Sequence, residues 1–312
     1  GGQSERLGAQ RRTLRGGVRP RRRRACVYVR TTMAGHAARQ ALLRFGAGAA
    51  LFGVGGAVAT AFGPRAQCDE NRADKPEFWT SRWAKMAKSN ITPGFHSSEV
   101  HPRLKEFSSR LVGDLPAGGR RILVPLCGKT LDLLYLSKIG ETSGVECAQE
   151  AIDGFGADNS LTPNLGSKTT KDTRLFDFGA PGPDASPIKI GKFNFFELPK
   201  AWDGKDAKFT MAWDRAAFVA IHPESRDKYA KALADQMAPG GKVLMCTMSY
   251  DTSKMDGPPF SLSPEQVEKH CGPYFGIEEL DTRSIIDSNP NFKQRGLNEI
   301  HEHTFLLTRK AA

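Results

Sequence analysis

Residues 121–146 read RILVPLCGKTLDLLYLSKIGETSGVE, and this stretch decides the fold. A short apolar run at 121–124 ends at a proline, and apolar residues at helical spacing follow between 130 and 139. Gly140 closes that helix, and a second short strand at 143–146 ends in an acid. The pattern predicts strand, turn, helix and strand in that order, which is the unit from which parallel sheets are built.

The alternation continues towards the end of the chain. It predicts strands at 193–198, 209–213, 242–250, 277–280 and 303–308, and helices at 225–237 and 264–270. Residues 74–110 are predicted to form a short helix followed by a loop, and 156–187 an irregular polar excursion. We therefore expect an α/β domain whose parallel sheet carries helices on both faces.

The turn after the first strand and the end of the second strand predict a ligand site. Gly128 lies in that turn, where a glycine lets the backbone approach a ligand closely, and Glu146 follows 18 residues later. An acid at this position accepts hydrogen bonds from ribose hydroxyls, and ligands bind at the carboxyl ends of such strands. A dinucleotide site would need G-x-G-x-x-G, whereas here Lys129 follows a single glycine. The pattern predicts adenosine without a pyrophosphate; the alternative is a plain turn and a solvated strand end.

The positive charge is confined to the start of the chain. The net charge is +11, but residues 1–68 hold 13 arginines and one acid, so that 69–312 sums to −1. A groove that binds a nucleic acid needs its positive charge on the folded domain. We therefore expect no nucleic-acid partner.

The first 68 residues resemble a targeting segment rather than part of the domain. No acid occurs between residues 6 and 66, which is typical of leaders that organelle import machinery reads. Residues 45–63 carry no charge, and 12 of these 19 residues are Gly or Ala. Three interpretations stay open: a cleaved transit peptide for a mitochondrion or plastid, a single-pass membrane anchor formed by 45–63, and a disordered tail on a cytoplasmic protein. The first methionine is Met33, so the true start is either there or upstream.

The six cysteines show neither a C-x-x-C pair nor metal-ligand spacing, which predicts reduced thiols and no metal site. They are Cys26, Cys68, Cys127, Cys147, Cys246 and Cys271.

Eight short motifs, in register between residues 76 and 310, resemble the thiopurine S-methyltransferase family. They are Phe78-Trp79-x-x-Arg82-Trp83, Gly94-Phe95-His96, Pro125-Leu126-Cys127-Gly128-Lys129, Gly144-Val145-Glu146, Trp213-Asp214-Arg215-Ala216-Ala217, Ser249-Tyr250-Asp251, Gly257-Pro258-Pro259-Phe260, and Arg295-Gly296-Leu297 with Phe305-Leu306-Leu307. The resemblance implies a Rossmann-like class I methyltransferase with a mostly parallel sheet, an antiparallel last strand and helices on both faces. It also implies S-adenosyl-L-methionine as cofactor, a small-molecule methyl acceptor and a monomer.

The resemblance also implies which residues bind the cofactor. Trp83 would pack against it, Glu146 would hold the ribose, and the segment with Asn194 and Phe195 would border the adenine. The cofactor-binding set is Trp83, Leu126, Gly128, Glu146, Asn194, Phe195 and Arg215.

The implied catalytic residues are Arg215, Phe95 and Asp214, with Phe95 over the methyl-transfer centre and Asp214 holding Arg215. Methyl transfer from a sulfonium is an in-line displacement, so the protein has to align the reactants and exclude water. The implied acceptor site comprises Phe95, His96, Pro258, Pro259 and Arg295. Two departures from the family leave the acceptor open: the segment between Trp83 and Phe95 is longer, and Asn291 stands where animal members have an arginine.

The sequence thus predicts S-adenosylmethionine-dependent methyl transfer to a small thiol or related soft nucleophile by residues 69–312. One alternative is a methyltransferase for sulfide, selenium or tellurium species, halide or thiocyanate. A second, from another class, is a catalytically silent cofactor-binding module that residues 45–63 tether to a membrane.

Overall fold

A nine-stranded sheet runs through the described part of the chain, which is residues 72–311 of a computed structural model except 74, 90, 92 and 166–173. Its spatial order is β3-β4-β5-β2-β1-β6-β7-β9-β8. Seven of the nine strands point the same way, and β4 and β9 run against them. The predicted fold class, including the antiparallel last strand, is confirmed. The strands are β1 Arg121–Val124, β2 Glu141–Glu146, β3 Asn164–Leu165, β4 Arg174–Gly179, β5 Ile188–Lys192, β6 Phe209–Arg215, β7 Met237–Ser249, β8 Phe275–Ser284 and β9 His301–Arg309.

Helices cover both faces of this sheet, because side chains alternate between the faces along each strand. In β1, Leu123 belongs to a hydrophobic cluster with the helices α5 and α6, whereas Ile122 and Val124 pack with α2, α3 and α4. The helices are α1 Pro76–Lys88, α2 Pro102–Val112, α3 Asp132–Ser137, α4 Gln149–Asp158, α5 Arg226–Gln236, α6 Pro264–Cys271 and α7 Pro290–Gln294.

The strand predicted at 193–198 is wrong. The strand that pairs with β2 is β5, Ile188–Lys192, and a 3-10 helix, Phe195–Glu197, follows it. The Asn194 side chain accepts a hydrogen bond of 3.1 Å from the Phe196 backbone N–H, which satisfies the first turn of that helix. The local cap therefore overrides the apolar content that suggested a strand.

Two further segments hold more regular structure than predicted. The excursion at 156–187 contains β3 and β4, which pair antiparallel with each other, and β4 extends the sheet beyond β5. The predicted loop before residue 110 contains α2, which begins at Pro102 and buries Leu104 and Leu111 completely. A proline at the first helical position and leucines seven residues apart favour this helix.

The turn after β1 packs directly against β2. The Cys127 backbone N–H donates a hydrogen bond of 2.9 Å to the Val145 carbonyl. A Cβ atom at Gly144 would lie only 2.6 Å from the Cys127 Sγ. Close contact between turn and strand thus fixes the glycine turn relative to the end of β2.

This contact predicts a cost for Gly144→Ala. We expect the free energy of unfolding to fall by about 1–3 kcal/mol, as for other overpacked interiors. Urea denaturation will measure the change, and the loss should shrink when Cys127→Ala removes the obstructing sulfur. Gly118→Ala is the control, because no atom lies within 4 Å of a Cβ there. Equal losses with and without Cys127 would contradict the packing.

The predicted leader, 1–68, and its uncharged run, 45–63, lie outside the described residues. Among the helices of the described part, none combines the length and apolar character needed to cross a membrane. Organelle import therefore stays a prediction, and fusing residues 33–68 to a reporter tests it.

Candidate active site

A cavity of about 730 Å³ opens at the carboxyl ends of the parallel strands. The residues that follow β1, β2, β5 and β6 meet there, as expected for a sheet of this topology. Of the thirteen predicted site residues, twelve line this cavity: Trp83, Phe95, His96, Leu126, Gly128, Glu146, Asn194, Phe195, Arg215, Pro258, Pro259 and Arg295.

Glu146 lies at the end of β2 and organises the glycine turn. One carboxylate oxygen accepts a hydrogen bond of 3.0 Å from the Gly128 N–H, and the other accepts from the Cys147 and Ala148 N–H groups at 2.7 and 2.8 Å. Burial raises the pKa of Glu146, and these backbone donors oppose that rise. A carboxylate has about four acceptor positions. One position therefore remains on the oxygen that faces Gly128, where a ribose hydroxyl can donate.

Gly128 and Trp83 form one wall of the cavity. Gly128 has a φ of 54°, and a Cβ there would lie 3.1 Å from the Trp83 ring. Trp83, on α1, is only 5% exposed, and the Phe95 ring contacts it edge to face. Leu126 also has a positive φ, 47°, which turns the chain sharply into the cavity. The missing Cβ at Gly128 therefore lets the indole pack directly against the turn.

Arg215 ties the end of β6 to the segment after α1. Its Nη1 donates a hydrogen bond of 2.5 Å to the Phe95 carbonyl, and the Phe95 ring packs against Trp79 and Trp83. Burial, with Lys129 nearby, lowers the pKa of His96, which favours its neutral form. The guanidinium group and two aromatic rings thus border the same space.

The remaining predicted residues lie at two ends of the cavity. Phe195 is 5% exposed and packs against Tyr229, so it supports one end of the cavity from the core. Pro259 is fixed at the other end, where its carbonyl accepts a hydrogen bond of 2.5 Å from the Tyr250 hydroxyl. Arg295 follows α7 and is exposed at the rim.

Asp214 is the exception among the predicted residues, because its side chain points to the opposite face of the sheet from Arg215. It is completely buried and accepts hydrogen bonds from the Tyr229 hydroxyl at 2.7 Å and the Phe218 N–H at 3.1 Å. Adjacent strand residues point to opposite faces, so Asp214 neither lines the cavity nor bonds to Arg215. Its predicted catalytic role is therefore corrected to a role in the core.

Burial raises the pKa of Asp214 from 3.8 to about 6, so this residue makes the free energy of unfolding depend on pH. The folded chain holds this proton more tightly than the unfolded chain. The unfolding free energy contributed by Asp214 therefore falls as pH rises from about 4 to about 6, by up to about 3 kcal/mol. Asp214→Asn should gain stability relative to the native chain over that interval. Urea denaturation at pH 4 and pH 6 measures this gain in stability. Asp206→Asn, at an exposed aspartate, is the control. Parallel pH profiles of stability for the native chain and Asp214→Asn would contradict the raised pKa of Asp214.

The cavity residues that sequence reasoning missed include His101, Asp132, Cys246 and Glu302. Asp132, at the start of α3, accepts hydrogen bonds of 2.8 Å from the Trp213 indole N–H and the His101 backbone N–H. His101 and Glu302 are isolated in the sequence and come together only in the fold. Asp132 stood in the decisive stretch, but a lone acid at a helix start carries no specific signal.

His101, Cys246 and Glu302 form a compact cluster, with their ligand atoms within 4.8 Å of one another. Arg103 also reaches this cluster, and its Nε lies 3.2 Å from a Glu302 oxygen. Arg215 acts electrostatically on the Cys246 thiol. Two guanidinium groups oppose a divalent cation at this place, so the cluster is better suited to handling protons.

The cavity fits S-adenosylmethionine. A carboxylate with one free acceptor position suits the ribose, and the Trp83 ring lies against the turn at Gly128, where a Cβ would be 3.1 Å from it. Trp83 also lines the cavity and suits the positively charged sulfur of this cofactor, because cations are attracted to aromatic rings. The single glycine offers no pyrophosphate cradle, which this cofactor does not require.

Comparison with known proteins agrees with this geometry. The family model described as thiopurine S-methyltransferase matches residues 74–310. The chain is similar to thiopurine S-methyltransferases of Pseudomonas paraeruginosa, with 35% identity over 75% of this chain and 98% of the relative, and of Shewanella loihica, with 33% identity over 76% and 100%.

Two solved structures share the fold at low sequence identity. One is an S-adenosylmethionine-dependent methyltransferase from Anabaena variabilis, with 11% identity, a TM-score of 0.51 and coverage of 75% of this chain and 95% of that chain. The other comes from work on the conversion of a disulfide into a thioacetal during echinomycin biosynthesis, with 14% identity, a TM-score of 0.51 and coverage of 75% and 92%. The chain therefore belongs to the thiopurine S-methyltransferase family and is an S-adenosylmethionine-dependent methyltransferase.

Proposed function

We propose that the protein transfers the methyl group of S-adenosylmethionine to a small thiol or a related soft nucleophile. The observation that carries this proposal is the position of Arg215. Its guanidinium group lines the cavity beside Phe95 and Trp83, where no carboxylate of the described residues forms an ion pair with it.

An unneutralised guanidinium at this place favours an anionic acceptor. Positive charge next to a thiol stabilises the thiolate, which is the nucleophilic form. The cofactor supplies an electrophilic methyl group on a positively charged sulfur. Arg215 fixes Phe95 through its carbonyl, and the two aromatic rings exclude water from that space. The residues therefore supply orientation and electrostatic stabilisation.

Apolar side chains at the acceptor end favour an organic thiol over a small inorganic ion. Pro258, Pro259 and Phe292 line that end of the cavity, and Arg295 stands at its edge. Apolar walls with one positive group suit a compact molecule with a soft anionic centre.

The acceptor is identified by incubating the full chain with radiolabelled S-adenosylmethionine and separate acceptors: aryl and alkyl thiols, thiopurines, sulfide, selenium and tellurium species, iodide and thiocyanate. We expect the highest kcat/KM with an organic thiol. A clear preference for an inorganic anion would show that the acceptor is such an anion and not an organic thiol. Tight cofactor binding without transfer to any of them would favour a silent binding module.

A further inference from the structure

We propose that His101 is the base that accepts the proton of the acceptor thiol, and that Glu302 and Arg103 hold it in position. This inference rests on the proposed function and adds a catalytic residue to it.

The cluster fixes the orientation of the His101 ring. Its Nε2 lies 3.4 Å from one Glu302 oxygen, and the other Glu302 oxygen accepts a hydrogen bond from Arg103 at 3.2 Å. The ring packs against Trp213 with centroids 5.7 Å apart, and the His101 backbone N–H is bound to Asp132. Both the ring and its main chain are therefore anchored.

The charge on Glu302 determines the tautomer of His101. Burial would raise the pKa of Glu302, but His101 and Arg103 act more strongly together and hold it below its ordinary value. Glu302 is therefore a carboxylate at neutral pH and can only accept hydrogen bonds. In the neutral ring, Nε2 then carries the hydrogen that faces Glu302, and Nδ1 keeps a lone pair that can receive a proton.

That lone pair is the unexplained feature of the cluster. His101 Nδ1 is shielded from water and has no hydrogen-bond partner within the described residues. Buried polar atoms without a partner are rare, and each requires an explanation. His101 lines the cavity, so we infer that a proton donor on a bound acceptor becomes this partner.

The sheet register places this cluster beside Arg215. Arg215 and Cys246 are paired in β6 and β7, and Glu302 of β9 pairs with Met248 of β7. Residues at alternate positions and their lateral partners share one face, so Arg215, Cys246 and Glu302 project from the same side. The charged and titratable groups around His101 are Arg103 and Glu106 of α2, Asp132 of α3, Arg215 of β6, Cys246 of β7, Asp281 of β8 and Glu302 of β9.

The proposed step is balanced in atoms and charge. The S–H bond of the acceptor breaks and its proton passes to His101 Nδ1. The electron pair on the acceptor sulfur forms the new bond to the methyl carbon, and the old methyl–sulfur bond breaks with its pair kept by the departing sulfur. The resulting imidazolium is stabilised by the Glu302 carboxylate, and its proton later passes to solvent.

Other groups near the cavity suit this role less well. Burial raises the pKa of the Cys246 thiol well above its ordinary value, so it stays protonated. Asp214 lies on the opposite face of the sheet and is bound to Tyr229. His96 lies in the segment after α1, near Lys129 and Arg215, and no carboxylate within ion-pair distance holds its ring in the described structure.

The test compares acceptors that differ in acidity. His101→Gln keeps a donor for Glu302 but has no basic nitrogen. We expect kcat/KM at pH 7 to fall about a hundredfold for an alkyl thiol of pKa near 9, and by less than about threefold for an aryl thiol of pKa below 6, which is already ionised. His301→Gln is the matched control, since His301 lies outside the main cavity. Equal losses on both thiols would overturn the proposal and indicate a structural role.

A second readout does not depend on turnover. With S-adenosylhomocysteine bound, 15N NMR of labelled histidine should show His101 protonated at Nε2 and unprotonated at Nδ1 at pH 7, with sequence-specific resonance assignment of the native chain identifying its signals. A proton on Nδ1 would overturn the proposal even if the variant fails to fold. If the native chain methylates no thiol, the proposed function fails. If the native chain methylates thiols and His101→Gln has the same kcat/KM for the alkyl thiol, only the inference about His101 fails.

Discussion

Arg215→Gln is expected to lower kcat about 10²- to 10³-fold, the usual effect of removing one preorganised charge from a transition state. The substitution removes the guanidinium that borders the cavity and also the hydrogen bond to the Phe95 carbonyl. Because the charge acts mainly on the reacting sulfur, the Kd for S-adenosylhomocysteine should change much less than kcat. Steady-state kinetics with the best thiol, together with calorimetric titration, separate the two effects.

Arg110→Gln is the control for this prediction, because Arg110 of α2 forms an exposed ion pair with Glu278 of β8 and neither residue lines the cavity. Exposed pairs contribute little to stability. An Arg215 variant that keeps full kcat would show that the positive charge has no part in catalysis. A loss confined to cofactor affinity would reassign Arg215 to binding alone.

Glu146→Ala should weaken S-adenosylmethionine binding about a hundredfold, which is the upper range for losing a hydrogen bond to a charged group. The effect has two sources. The ribose loses its acceptor, and the N–H groups of Gly128, Cys147 and Ala148 lose the carboxylate that orders the turn. Equilibrium titration with the cofactor measures the change.

Glu141→Ala is the matched control, since Glu141 begins the same strand and pairs at the surface with Lys205. It should bind the cofactor normally and unfold at nearly the native urea concentration. Unchanged affinity in Glu146→Ala would mean that the ribose lies elsewhere. An equal loss in both variants would indicate a general effect on β2.

The sequence predicts well that Gly128 and Glu146 meet at one cavity, because that end of the cavity is built locally. Gly128 and Glu146 belong to one strand–turn–helix–strand unit, and the spacing within that unit determines where both residues lie. Arg215 follows the end of a clearly apolar strand, and neighbouring parallel strands end at the same edge of the sheet. The geometry of the parallel strand–turn–helix–strand unit therefore makes the positions of these three residues predictable from the sequence.

Side-chain direction and long-range contacts are the parts that could not be predicted. Asp214 and Arg215 are adjacent, yet a shift of one residue reverses the face of the sheet, and only the packing around Tyr229 shows which residue is inside. His101 and Glu302 are about 200 residues apart, and nothing local marks either as a partner. β5 was missed because it contains two lysines and a glycine and lacks the apolar pattern of a buried strand.

The helix α2 shows where the available signal was overlooked. Pro102, Leu104 and Leu111 give a proline start and a repeat with helical spacing, which the structure bears out. Its importance is that Arg103, in its first turn, reaches Glu302 and so connects the helix to the cluster around His101.

The central claim is that Gly128, Glu146 and Arg215 surround one sulfonium nucleoside at the carboxyl edge of the sheet. A crystal structure of the full chain with S-adenosylhomocysteine tests it most directly. We expect the ribose hydroxyls within hydrogen-bond distance of the Glu146 carboxylate, the ligand backbone against Gly128, and the sulfur facing Phe95 and Arg215. A ligand bound away from Glu146, or with its sulfur directed away from Arg215, would contradict the account.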